Sequence, residues 1–391
     1  MGSVFSERTN WPLAPNRLHQ LAAERRRRGA LLDLTASNPT QCGIEYPPGL
    51  LAALSDSAGL RYEPASRGLA SARAAVAAYY EGRGVSFGAD DLLLTASTSE
   101  AYAHLFSLLC AAGETVAMPT PSYPLFEMLA RLQQVELAAV PMLYDHGWHL
   151  DIAAIAAAPA ATRALLLVHP NNPAGNYVKP VEWSALQECA AARGWAVVVD
   201  EVFWDFPLAP GAQVGLDYAG CPALTFVLNG LSKISALPQM KLGWIAVAGP
   251  PELKREALAR LELINDLFLA ASTPVQLAAG ALLEARHAVQ RQILARIRCN
   301  LDALDRGLGL HSSVARLRAE AGWSALLRLP RIHTDASWAE LLVEQAGVLT
   351  HPGHFYGLEQ DAHLAISLLP QPAAFEAALQ GILATVDKEA G

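Results

Sequence analysis

Short runs of apolar residues alternate with longer amphipathic stretches through the middle of the chain. The runs fall at residues 91–94, 115–117, 135–140, 164–168, 196–199, 225–228 and 243–247. Their near-continuous hydrophobicity fits strands covered on both faces, as in a parallel sheet lying between helices. The intervening segments, such as 100–111 and 181–193, have helical length and helix-forming composition. This alternation predicts an α/β architecture: a large domain with a mostly parallel seven-stranded sheet between helices.

Beyond Pro250 the texture changes. Residues 252–267 and 274–308 read as long helices rich in Ala, Leu and Arg, followed by a strand at 323–329 and a helix at 337–345. Further strands are expected at 347–350 and 363–368, and a closing helix at 372–388. The expected division is a large α/β domain over 46–265 and a smaller α+β domain from 1–45 with 266–391. Neither an internal repeat nor a low-complexity linker interrupts this picture.

Composition narrows the class. Of 391 residues, 52% are hydrophobic and 17% charged, enough apolar content for a sizeable core. A formal net charge of -8 argues against a general binder of nucleic acid or anionic membranes. One basic run, Arg25 to Arg28, stands apart; a solvated helix end is the plain reading and a phosphate-binding or nucleic-acid patch the other. Cys42, Cys110, Cys189, Cys221 and Cys299 form no CxxC pair, as expected of reduced thiols in a cytoplasmic protein. Residues 1–11 are polar and hold no signal-peptide core, and no apolar run approaches the roughly 20 residues of a membrane span.

Four stretches carry candidate chemistry. Gly230-Leu231-Ser232-Lys233 follows an expected strand, which sets a lysine at a strand's carboxyl end, where ligands of open α/β sheets gather; a surface lysine is the alternative. Three valines, 197–199, lead into Asp200-Glu201-Val202-Phe203, and a carboxylate delivered there needs a positive partner unless it merely caps a turn. His169-Pro170-Asn171-Asn172-Pro173-Ala174-Gly175 reads as a turn whose Asn172 amide is free for a ligand or simply structural. Thr95-Ala96-Ser97-Thr98-Ser99-Glu100 runs from strand to helix and serves equally as an anion site or as a plain N-cap.

Order and spacing together say more than each stretch alone. With Asn38-Pro39-Thr40, Tyr62, Arg67-Gly68-Leu69, Pro121-Ser122-Tyr123 and Lys241-Leu242-Gly243, these motifs make nearly the whole chain resemble the aspartate-aminotransferase superfamily. These are pyridoxal-phosphate (PLP) enzymes of fold type I, class I/II aminotransferases. The resemblance implies that Lys233 carries the cofactor as a Schiff base and then moves the substrate's α-proton. It implies that Asp200 pairs with the pyridine nitrogen, Asn172 donates to the phenolate oxygen and Tyr123 stacks on the ring. The phosphate falls to Ser97, Thr98, Ser99, Ser232 and Lys241, with Tyr62 reaching it from a neighbouring subunit, hence a homodimer. Asn38 and Asn172 are the expected substrate contacts. The implied reaction is amino transfer between an amino acid and a 2-oxo acid.

Three positions depart from the superfamily's pattern. Phe203 replaces a tyrosine that bonds the phenolate oxygen, and Lys241 replaces an arginine on the phosphate. Ala365 stands where relatives carry the arginine that clamps the substrate's α-carboxylate. Either another cation holds that group, with Arg61, Arg67 and His354 as candidates, or the substrate is an amine without it. A PLP-dependent carbon–sulfur β-lyase uses the same apparatus and stays open as the alternative. A PLP-binding regulator would need a helix-turn-helix module that the stretch before Tyr62 has no room for, and a nicotinamide dehydrogenase would need a GxGxxG that is missing, as are Walker, HExxH and GxSxG motifs.

Overall fold

The computed structural model describes residues 4–29, 31–309 and 313–390; residues 1–3 of the polar opening segment lie outside the described residues. Seven strands form the main sheet, in the order Leu92–Thr95, Gly243–Ala248, Thr225–Gly230, Ala196–Asp200, Thr162–Val168, Thr115–Thr120 and Glu136–Pro141. Six run in one direction, and Gly243–Ala248 runs against both of its neighbours. The expected seven-stranded α/β sheet is therefore present, with one antiparallel member.

Alternation explains why the strand segments are apolar almost throughout. Val197 and Val199 enter one core, while Val198 enters the other, and Leu165, Leu167 and Leu166 divide in the same way. Helices cover both faces, so the inner strands are buried except at Arg163, near the start of Thr162–Val168. Helix Pro180–Arg193 shows how the covering elements are punctuated. Its proline sits in the first turn, Glu182 accepts from the Lys179 N–H at 2.7 Å, and Gly194 closes the helix at a φ of 66°.

The second body has its own core and a four-stranded antiparallel sheet, ordered Ala315–Arg316, Ser324–Arg328, His363–Ser367 and His351–Pro352. Helices Arg286–Leu308 and Pro372–Ala390 pack over it. The N-terminal segment joins through Leu32–Asp33, which pairs in parallel with Val348–Leu349. The basic run is the last turn of helix Arg17–Arg27, where Arg25 donates to the carbonyls of Val343 (2.9 Å) and Glu344, and Arg26 pairs with Asp33 at 2.7 Å. Cationic side chains at a helix carboxyl end also meet its partial negative charge.

One boundary differs from expectation. The long helix read over 274–308 breaks into Thr273–Leu277, Ala279–Glu284 and Arg286–Leu308. Val275, Ala278 and Leu282 pack into the core of the main sheet, whereas Val289, Ile293 and Ile297 belong to the second core. The change of packing partner along these helices thus falls near residue 285. Composition could not separate two helices that share one Ala/Leu texture but pack on different sheets.

Beneath the strand ends, Arg83 ion-pairs with the buried Glu201 at 2.9 Å and stacks on Trp204, 3.6 Å from its ring centroid. Tyr218 donates to the same carboxylate at 2.7 Å. Removing one partner from such a pair strands a buried charge. Arg83→Met is expected to cost about 3–5 kcal/mol in chemical denaturation, and adding Glu201→Gln should recover part of that loss. An Arg83→Met protein as stable as wild type would show that the ion pair contributes nothing.

Candidate active site

The strand ends build the site. Thr95, Val168, Asp200 and Gly230 close parallel strands on one edge of the sheet. The reversed strand brings its beginning to the same edge, since Gly243 pairs with both Thr95 and Gly230. Gly243 also lets the strand pass close under the helix start: a Cβ there would lie 3.0 Å from the Ser97 carbonyl carbon and 3.1 Å from the Thr98 nitrogen. The result is a cavity of about 370 Å³ lined by Ser97, Thr98, Ser99, Tyr123, Asn172, Asp200, Ser232, Lys233 and Lys241. A volume of this order suits a cofactor-sized ligand.

Helix Thr98–Leu109 begins at a reciprocal cap. Ser97 Oγ accepts from the Glu100 N–H at 3.1 Å, and Glu100 Oε2 accepts from the Ala96 N–H at 2.6 Å. The hydroxyls of Thr98, Ser99 and Ser232 make no hydrogen bond among the described residues. Unengaged donors at a helix start, with the Lys241 ammonium beside them, fit a phosphate group. Across the turn, His169 is buried and neutral: burial lowers its pKa to about 4, while Nε2 donates to the Val214 carbonyl at 2.9 Å and Nδ1 accepts from the Val178 N–H at 3.0 Å. Asn171 is tied to Pro121 and Ala174, which leaves the Asn172 amide without a protein partner at the cavity.

Asp200 is buried. Burial raises its carboxyl to about 6, against the Tyr102 hydroxyl donating to Oδ2 at 2.7 Å, the Val202 N–H donating to Oδ1 at 3.0 Å and the Lys233 charge. Burial in turn lowers the Lys233 pKa, opposed by Asp200. Lys233 Nζ lies 5.1 Å from the Trp323 ring centroid and 5.6 Å from that of Phe203. A ring with a protonated nitrogen, a phosphate and an aldehyde meets a complementary group at each of those points, so the residues present fit PLP.

Not every expected residue arrives. Asn38 lies outside the cavity: its Oδ1 accepts from the N–H and hydroxyl of Thr40, at 3.1 and 2.7 Å, so it caps a short helical turn. Tyr62 is 75% exposed and does not reach the cavity of its own chain. The proposed replacement cations also miss: Arg67 is bound to the Asp90 carbonyl, His354 pairs with Asp335 at 3.0 Å, and Arg61 is exposed. Trp11, Trp204 and Tyr177 line no part of it. Residues that no motif announced take their place, namely Tyr102, Trp323, His351 and Tyr356. Only the position of Tyr102 within the first turns of the helix after Ser97 hinted at a role.

A buried carboxylate that ionises only near pH 6 destabilises the cofactor-free protein above that pH. Its folded pKa is raised, so the penalty is absent below the unfolded value near 3.8 and grows as pH rises through about 6. Asp200→Asn is therefore expected to stabilise the cofactor-free protein by up to about 3 kcal/mol at pH 8 and by little at pH 4. Denaturation curves at the two pH values check this; a gain independent of pH would remove the charge from the explanation.

Known proteins share this construction. A family model described as aminotransferase class I and II matches residues 31–382. Nicotianamine aminotransferase A of Hordeum vulgare is 26% identical over 315 residues, 78% of this chain and 68% of that protein. The glutamate-pyruvate aminotransferase of Haemophilus influenzae is 27% identical over 366 residues, 89% of each chain. In three dimensions, an alanine aminotransferase from Pyrococcus furiosus shares the fold with a TM-score of 0.89 at 20% identity, over 98% of this chain and 100% of that one. Model match and fold agree with the cavity, and the chain belongs to the class I and II aminotransferases, PLP-dependent enzymes of fold type I.

Proposed function

We infer that this enzyme moves an amino group between an amino acid and a 2-oxo acid, in two successive half-reactions through one cavity, with Lys233 as the covalent attachment point of PLP. The observation that carries the reading is the meeting of Lys233 and Asp200 in that cavity, from the ends of adjacent parallel strands. When bound, the cofactor supplies an electron sink for the charge left at the substrate's α-carbon.

The chain's own residues do the rest. Burial keeps a larger fraction of the Lys233 Nζ as free amine, the form that bonds an aldehyde and that later takes and returns the α-proton. Asp200 Oδ1 and Oδ2 are held by Val202 and Tyr102, so the carboxylate stays aimed while it holds the proton of the ring nitrogen. Asn172 would donate to the cofactor's phenolate oxygen, where Phe203, lacking a hydroxyl, offers no second donor. Tyr123 would cover a ring face. Ser97, Thr98, Ser99, Ser232 and Lys241 would hold the phosphate, the lysine as a point charge where a guanidinium would have made two bonds. Phe203, Trp323, Phe126 and Ile366 form apolar walls that exclude water from the proton being moved.

The same reading includes a cytoplasmic homodimer. Tyr62, Leu60 and Leu267 are 75%, 92% and 82% exposed, and a second copy packed over Tyr62 would bring it to the partner's phosphate. Among the described residues no helix is long and apolar enough to cross a membrane.

Lys233→Ala is expected to remain folded, to lose the visible absorption of the bound cofactor and to lose all turnover with amino acid and 2-oxo acid pairs. Turnover retained in that variant would sink the reading. Pyruvate and ammonia released from a β-substituted amino acid without any 2-oxo acid would move it to a carbon–sulfur lyase.

A further inference from the structure

The cavity has two ends of different chemistry. Both lysines that line it, Lys233 and Lys241, stand at the cofactor end, and no arginine lines it among the described residues. The far end is made by the antiparallel sheet of the second body. Ala365 occupies the centre of strand His363–Ser367, is buried, and has no means of holding an anion. A substrate carboxylate placed against it without a donor would lose its hydration uncompensated.

The residue directly opposite Ala365 on the neighbouring strand is His351. Directly opposed residues of an antiparallel pair project from the same face of the sheet with Cβ atoms about 4.5–5.5 Å apart. His351 therefore stands beside the vacated position, and it lines the cavity together with Ser324, Ala365 and Ser367. Its ring is oriented from behind: Nδ1 lies 2.8 Å from the Tyr356 hydroxyl. Burial raises the Tyr356 pKa, so that hydroxyl keeps its proton and is able to donate to Nδ1; in that arrangement Nδ1 is the ring's bare nitrogen. Nε2 is then the ring's N–H, and it makes no hydrogen bond among the described residues.

We propose that His351 Nε2 holds the substrate's α-carboxylate in place of the missing arginine, so that the enzyme takes α-amino and 2-oxo acids through an imidazole donor set by Tyr356. The ligand's identity rests on the aminotransferase reading; the donor assignment rests on the strand register and the free nitrogen. One N–H replaces the paired donors of a guanidinium, which makes the grip on the carboxylate weaker than a bidentate one. The apolar walls formed by Trp323, Phe203 and Ile366 then carry a larger share of binding, which favours substrates with apolar side chains.

The test compares 3-phenylpropanoate with 3-phenylpropanamide by calorimetry on the cofactor-loaded enzyme, so that binding is read apart from turnover. Wild type is expected to prefer the carboxylate. His351→Ala should weaken the carboxylate by about tenfold and the amide by less than about twofold. His351→Gln, which keeps an N–H donor, should recover part of the loss, and Tyr356→Phe should show a smaller loss because only the ring's orientation is released. Wild type that binds both ligands equally, or variants that lose both equally, would overturn the assignment. If Lys233→Ala keeps its turnover, the aminotransferase reading falls, while the carboxylate-to-amide ratio still judges His351 by itself.

Discussion

A carboxylate buried at the end of an interior strand is the constraint on which this site depends. Strand Ala196–Asp200 is apolar through its valines, and its last residue is held away from water at the bottom of the cavity. Burying that charge is costly, and the protein meets the cost only in part. Tyr102 and the Val202 amide each donate one hydrogen bond, and Lys233 contributes its charge across the cavity. The carboxyl still titrates near 6. A cationic ring nitrogen would complete the arrangement, which is why the site reads as built for a partner and not merely tolerant of one.

That geometry is supported from below. Glu201, the next residue, points away from the cavity into a buried cluster with Arg83 and Tyr218. Its backbone is held as well, because its N–H donates to Leu228 and its carbonyl accepts from Asn229 at 3.1 Å. Asp200 thus cannot move without disturbing an ion pair on the other side of the strand. Precise placement of a reacting group comes from this kind of second layer, where each bond fixes an atom that touches no ligand. The reversed strand has a similar role. By entering at Gly243 between Thr95 and Gly230, it brings Lys241 and Leu242 to the edge where the parallel strands end.

The far end of the cavity is organised by the second body. Its four-stranded sheet presents Ser324, His351, Ala365 and Ser367 to the cavity, opposite the apolar wall of Trp323 and Phe203. Phe203 follows strand Ala196–Asp200 and Trp323 precedes strand Ser324–Arg328, and their rings meet edge to face, 5.3 Å apart. Both rings belong to the core of the second body, which therefore reaches up to the cavity wall.

Local features were legible in the sequence. The near-continuous apolar runs identified the seven strands of the main sheet, because an inner strand buried on both faces writes its burial into consecutive residues; the edge strand Glu136–Pro141, largely exposed, kept an apolar run without that burial. Lys233, Asp200, Asn172 and the Ser97 turn could be singled out because each follows its strand directly, and chain adjacency alone places it at the strand's end. The break at residue 285 could not be read, because helices with the same composition pack on different cores. The side chain of Asn38 could not be placed for a related reason: whether an amide caps its own turn, as here, or faces a cavity depends on what packs above it. The pairing of His351 with Ala365, and of Tyr102 with Asp200, joins residues 14 and 98 positions apart. Strand order and register decide such contacts. They are set by how whole layers pack, a property that no stretch of sequence carries by itself.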